Sequence, residues 1–173
     1  MSSIPYDLTK IKGFIFDVDG VLSCNVISLY PDGDPMRTVC IKDGYAMQLA
    51  VKKGYQLAII TGAYTEAVVK RYERLGLKYI YTKSSIKVND YNDFMQRSGL
   101  KPEEVVYVGD DIPDYEVMKL VGLPVAPHDA ASEIKEISKY ISHCDGGQGV
   151  ARDVIEQTLK AQGHWMGDEA FGW

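Results

Sequence analysis

Cysteine and histidine are scarce in this chain. Its 173 residues include three cysteines (Cys24, Cys40, Cys144) and three histidines (His128, His143, His164). None are spaced as zinc ligands, which excludes a zinc centre of the usual kind. An odd, scattered set of cysteines argues for reduced thiols in a cytoplasm rather than a disulfide framework. Long apolar runs are missing too. The first, residues 13–16, is stopped by Asp17 and is too short for a signal-peptide core or a membrane span. Positive charge is in deficit: the formal net charge is −5, with lysine and arginine dispersed. That excludes the basic surface a nucleic-acid partner requires. Internal repeats and low-complexity segments are absent. There remains enough chain for one domain, residues 1–173, with a sizeable core and an ordinary 46% hydrophobic content.

The most informative stretch that is present is 14–20, Phe-Ile-Phe-Asp-Val-Asp-Gly. A strand buried on both faces reads as such an apolar run. Gly20 then permits a sharp turn. Two carboxylates, Asp17 and Asp19, therefore emerge where a parallel strand ends, the edge at which open α/β sheets place their ligands. A solvated turn would account for one of these acids and less well for the pair.

After Gly20 the pattern is not helical. Residues 25–30 and 37–42 are rich in β-formers and flank the turn cluster Pro31-Asp32-Gly33-Asp34-Pro35, which predicts a β-hairpin over about 25–42. Strands are then expected at 56–60, 79–81, 104–108, 123–126 and 140–142. Helices are expected from just after Asp43-Gly44 to about 53, and at 65–75, 88–97, 115–121, 130–137 and 150–161. Strands alternating with helices imply an α/β fold, a doubly wound parallel sheet covered on both faces.

Three of these strands end in reactive groups. The first offers Asp17 and Asp19, the second Thr61 with Gly62, a later one Asp110, Asp111 and Asp114. Carboxylates packed together repel unless a cation joins them, and an all-oxygen site of this kind suits Mg²⁺. Thr61 and a lysine at a helix start, Lys87, are suited to hold phosphoryl oxygens.

The ordered set Asp17-x-Asp19-Gly20, Thr61-Gly62, Lys87 and Gly109-Asp110-Asp111-x-x-Asp114 resembles the four motifs of the haloacid dehalogenase superfamily of phosphatases. The resemblance implies a Rossmann-like core with Asp17 as nucleophile and Asp19 as general acid and base. It implies Mg²⁺ on Asp17, Asp110 and the Asp19 carbonyl, with Thr61 and Lys87 on the phosphoryl group. Asp114 would orient Lys87, and Asp111 would sit behind the first ring of ligands. The stretches between the motifs are shorter than the roughly 50 residues an inserted domain needs, so no cap domain is expected.

Finer features resemble the 3-deoxy-D-manno-octulosonate 8-phosphate phosphatases: the hairpin, Ile41-Lys42-Asp43-Gly44-Tyr45, and Gly146-Gly147-Gln148-Gly149 with Arg152. That likeness implies a homotetramer whose hairpins shield the site. It also implies substrate contacts from the loop containing Lys42, Asp43 and Gly44, and from Arg71. Lys42, Gln48 and Ala63 stand where that family usually has arginine, which leaves a nonulosonic acid 9-phosphate as an alternative substrate. A non-catalytic phosphoacceptor or oligomerisation module is a remote alternative. The glycine-rich tail, 163–173, carries Trp165, Met166, Phe171 and Trp173 and reads either as a segment that folds over a neighbour or as a frayed end.

Overall fold

The structure is a computed structural model that describes residues 3–172; Trp173 lies outside them. Its strands are β1 (Gly13–Phe16), β2 (Gln56–Ile60), β3 (Tyr79–Tyr81), β4 (Val105–Val108), β5 (Leu123–Ala126) and β6 (Tyr140–Ile141). Its helices are α1 (Ile41–Lys52), α2 (Glu66–Arg74), α3 (Lys87–Ser98), α4 (Tyr115–Met118), α5 (Ser132–Ile137) and α6 (Val150–Ala161). All six strands are parallel, in the order β3-β2-β1-β4-β5-β6. The chain leaves β1 in one direction and returns on its other side, so β1 and β4 flank the point where the strand order reverses.

Alternation along β1 sets the two layers. Phe14 and Phe16 pack with Met47 of α1, Val68 and Tyr72 of α2 and Val154 of α6. Ile15 and Tyr107 pack on the opposite face with Phe94 of α3, Met118 of α4 and Ile134 of α5. The strands read as unbroken apolar runs because both faces are covered. Among the described residues, no helix is long and apolar enough to cross a membrane.

Two elements differ from the sequence expectation. The stretch from Asn25 is a hairpin only in outline. It holds one antiparallel bridge, Leu29 to Pro35, where the Tyr30 N–H donates to the Asp34 carbonyl at 2.7 Å and the Met36 N–H to the Ser28 carbonyl at 2.9 Å. A two-stranded ribbon has no sheet to rest on. Its second arm stops at Cys40, since Ile41 and Lys42 already belong to α1.

The tail packs on its own chain. Trp165 is buried, with Tyr45 edge-on to it at 6.2 Å and the Arg152 guanidinium 4.4 Å over its ring. Tyr45 donates to the Ala170 carbonyl, and Lys53 pairs with Glu169. An indole face beside a cation is a stronger anchor than glycine content alone predicts.

Candidate active site

β1 delivers Asp17 into the crevice between its neighbours. The Asp17 N–H donates to the Val108 carbonyl at 3.1 Å, which continues the ladder one step past the strand. The chain then turns at Gly20, whose φ of +79° places it in the left-handed region. A Cβ there would fall 1.9 Å from Asp110 Oδ2, so only glycine lets the two acidic loops meet. β2 delivers Thr61, buried, its N–H donating to the Tyr81 carbonyl at 2.9 Å. β4 delivers Asp110. Lys87 enters from the first turn of α3.

These groups surround one cavity of about 540 Å³, which Asp17, Asp19, Thr61, Lys87, Asp110 and Asp114 all line. Gly62, Ala63 and Asp111 line it as well. Lys87 Nζ lies 2.9 Å from Asp17 Oδ2 and 2.7 Å from Asp114 Oδ1. Asp114 also accepts from the Tyr107 hydroxyl at 2.7 Å and from the Asp110 N–H at 3.2 Å. Both its oxygens are thus engaged, one of them by the lysine.

Three buried carboxylates face a single ammonium. Oxygens of Asp17, Asp110 and Asp114 lie within 4.8 Å of one another. Burial, then repulsion from Asp114, raises the Asp17 pKa to about 7 against the pull of Lys87. Burial, then repulsion from Asp17, raises that of Asp110 to about 8. Burial opposes the charge on Lys87, but the two carboxylates outweigh it and raise its pKa. The cluster carries more negative charge than one lysine balances. Since Asp114 is already engaged, Asp17 and Asp110 are the pair a divalent, oxygen-loving cation would relieve, so the donor set fits Mg²⁺.

Other expected contacts lie elsewhere. Lys42 is exposed on the first turn of α1. Asp43 is buried and accepts the Arg152 N–H at 2.6 Å, capping α6; burial pushes its pKa up to about 6. Gly44 lies under Arg71, and a Cβ there would meet Arg71 Nη2 at 2.3 Å. None of these three lines the cavity around Asp17 and Lys87. Arg71 lines a second cavity of about 340 Å³ between the hairpin and α2.

Two residues escaped the sequence reading. Arg37 forms a two-pronged ion pair with Asp19, Nε to Oδ1 at 2.7 Å and Nη2 to Oδ2 at 2.9 Å. Its only sequence signal was being the sole arginine before Arg71. Tyr107 read simply as strand core, and nothing local announces where its hydroxyl ends.

Comparison with known proteins agrees with this geometry. A family profile described as haloacid dehalogenase-like hydrolase matches residues 39–122. The chain is 37% identical over 171 residues to a 3-deoxy-D-manno-octulosonate 8-phosphate phosphatase of Salmonella typhimurium, covering 97% of this chain and 90% of that protein. A crystal structure of the Yersinia pestis phosphatase of the same name superposes with a TM-score of 0.87 at 32% identity, over 91% of this chain and 85% of that one. The Moraxella catarrhalis phosphatase, solved with magnesium, phosphate and a KDO molecule, superposes with a TM-score of 0.87 at 30% identity, over 95% of this chain and 93% of that one. Identity at this level along nearly the whole length makes the chain a haloacid dehalogenase-like hydrolase, belonging to the 3-deoxy-D-manno-octulosonate 8-phosphate phosphatase family.

Proposed function

We propose that this chain is a Mg²⁺-dependent phosphatase acting on a phosphorylated 2-keto-3-deoxy sugar acid, with 3-deoxy-D-manno-octulosonate 8-phosphate as the leading substrate. The observation that carries the reading is the cavity itself: Asp17 and Asp19 face Thr61 and Lys87 across a space fit for a phosphoryl group. A carboxylate oxygen of Asp17 attacks phosphorus, and the bond from phosphorus to the sugar oxygen breaks. Asp19 gives that oxygen a proton. Asp19 then takes a proton from water as the water attacks the aspartyl-phosphate, releasing phosphate and restoring Asp17. Thr61, the Gly62 backbone and Lys87 hold the phosphoryl oxygens. Asp17, Asp110 and the Asp19 carbonyl would hold Mg²⁺, which when bound neutralises charge between nucleophile and phosphate. Asp111 would contribute from behind.

The relative solved with KDO supports the sugar-acid substrate. A nonulosonic acid 9-phosphate is the second reading, because Ala63, in place of the family's arginine, lines the catalytic cavity. The test is kcat/KM across phosphorylated 2-keto-3-deoxy sugar acids and hexose phosphates. Sugar-acid phosphates are expected to lead; equal preference for glucose 6-phosphate would overturn the assignment. Arg71→Ala is expected to raise KM about 10-fold and to change kcat less, as loss of a charged ground-state contact does.

On this reading the protein is one capless domain that works as a homotetramer in a cytoplasm. The free cysteines fit a reducing compartment. The hairpin leaves Val26 92% and Leu29 63% exposed, surface that pairing with other copies would cover. Light scattering should report a particle near four times 19.3 kDa. Changing Val26 and Leu29 together to serine should dissociate it and lower activity. These two are cleaner targets than Ile27, which lines the catalytic cavity. A fully active monomer would show that the hairpin is not the shield.

A further inference from the structure

We infer that Arg37 is a clasp on Asp19 that the substrate's own carboxylate releases, which makes it a specificity-determining residue. The inference rests on the sugar-acid phosphatase reading above.

The clasp occupies both Asp19 oxygens, each accepting an N–H of one guanidinium. A carboxyl group that donates a proton to a leaving oxygen, or accepts one from water, needs an oxygen free to face the reacting atoms. Each oxygen keeps a second lone pair, but the fork fixes the carboxyl plane on Arg37, so turning an oxygen toward the reacting atoms releases at least one of the two contacts. Release into nothing is costly. The Arg37 side chain is 11% exposed and that of Asp19 45%, so water in the adjoining cavity reaches the guanidinium but makes a weaker partner than a carboxylate. Another anion of matching shape can take the carboxylate's place. A substrate carboxylate offers the same two-oxygen geometry to the same planar donor.

The position of Arg37 fits that exchange. Asp19 lines the catalytic cavity, whereas Arg37 lines the neighbouring one between hairpin and α2. The guanidinium thus sits at the boundary between them. Arg71 lines the same second cavity, and its buried Nε has no hydrogen-bond partner. Two carboxylates also line it, Asp32 and Asp34, both exposed at the hairpin tip. The Arg37 backbone has little room to move. The Thr38 N–H donates to Ser23 Oγ at 3.0 Å, and the Cys24 N–H donates to Thr38 Oγ1 at 3.0 Å. The exchange is then a side-chain swing on a pinned hairpin, not a loop opening.

A phosphate ester lacking a second anion leaves the clasp shut for most of its time on the enzyme. Its turnover suffers, while a sugar-acid phosphate uses binding energy from its distant carboxylate to free Asp19. Discrimination falls on kcat as well as KM.

The test measures kcat and KM of the full chain with Mg²⁺ on p-nitrophenyl phosphate and on 3-deoxy-D-manno-octulosonate 8-phosphate. Wild type, Arg37→Ala and Arg37→Lys are compared, with melting temperatures as the folding control. Arg37→Ala is expected to raise kcat on the aryl phosphate about 3- to 10-fold and to lower kcat/KM on the sugar-acid phosphate at least about 10-fold. Arg37→Lys keeps the charge but loses the fork, and should move both values the same way by less. It carries the test if the alanine variant does not fold. An equal fall on both substrates would mean that Arg37 merely positions Asp19, and would overturn the clasp. So would unchanged kinetics, or a gain on the aryl phosphate with no loss on the sugar acid. Failure of the phosphatase reading is seen separately, as no turnover of either substrate by wild type.

Discussion

Asp17→Asn is expected to cut turnover by at least about 10³-fold while raising the melting temperature of the metal-free protein. The amide keeps the shape of the side chain but cannot attack phosphorus, so chemistry stops. Stability moves the other way for an electrostatic reason. Asp17 is buried beside Asp110 and Asp114, and among the described residues Lys87 is the cation paired with this cluster. Burial and then repulsion from Asp17 push the Asp110 pKa to about 8, and removing the Asp17 charge relieves the second of these, while Lys87 keeps Asp114 at 2.7 Å. Steady-state rates and a thermal melt in chelator check both halves. Retention of a tenth of wild-type activity would remove Asp17 from the nucleophile's role, and a large drop in melting temperature would contradict the electrostatic account.

Mg²⁺ is expected to be required for activity and to stabilise the protein more at high pH than at low. Folded-state pKa values of about 7 for Asp17 and about 8 for Asp110 lie above the ordinary carboxylate value. In the metal-free protein these groups favour the folded state fully only below that ordinary value, near pH 4. Their contribution is lost as pH rises through 7 and 8. A divalent cation reverses the balance by binding the ionised pair. At pH 8 and Mg²⁺ about 100-fold above its Kd, the melting temperature should rise by about 5–10 °C, and at pH 5 by much less. Excess chelator should abolish turnover, added Mg²⁺ should restore it, and Ca²⁺, with its larger and looser shell, should support it poorly. Full activity in chelator would refute the metal requirement. An equal thermal shift at both pH values would refute the account of the carboxylate pair.

The parts of the site that local rules control were legible from the chain. A parallel strand covered on both faces must be an apolar run, so β1, β2 and β4 announce themselves, and the residues just after them must lie at the ligand edge. Asp17, Thr61 and Asp110 follow from that reasoning, and the structure brings them to one cavity with Lys87. The glycine at 20 was legible as a turn; that it also clears room for Asp110 was not.

The sequence by itself determined the doubly wound sheet and the order in which its polar groups arrive, because burial on two faces and helix periodicity are written in neighbouring residues. Tertiary structure alone decided who partners whom across the chain. Asp43 caps a helix whose first turn lies 109 positions away, at Arg152. Trp165 of the tail packs against Tyr45 and Arg152 of its own chain. Arg37 reaches Asp19 from a hairpin that forms no ladder. Such pairings depend on strand order and on where an irregular segment is pinned, and no local propensity or spacing encodes either.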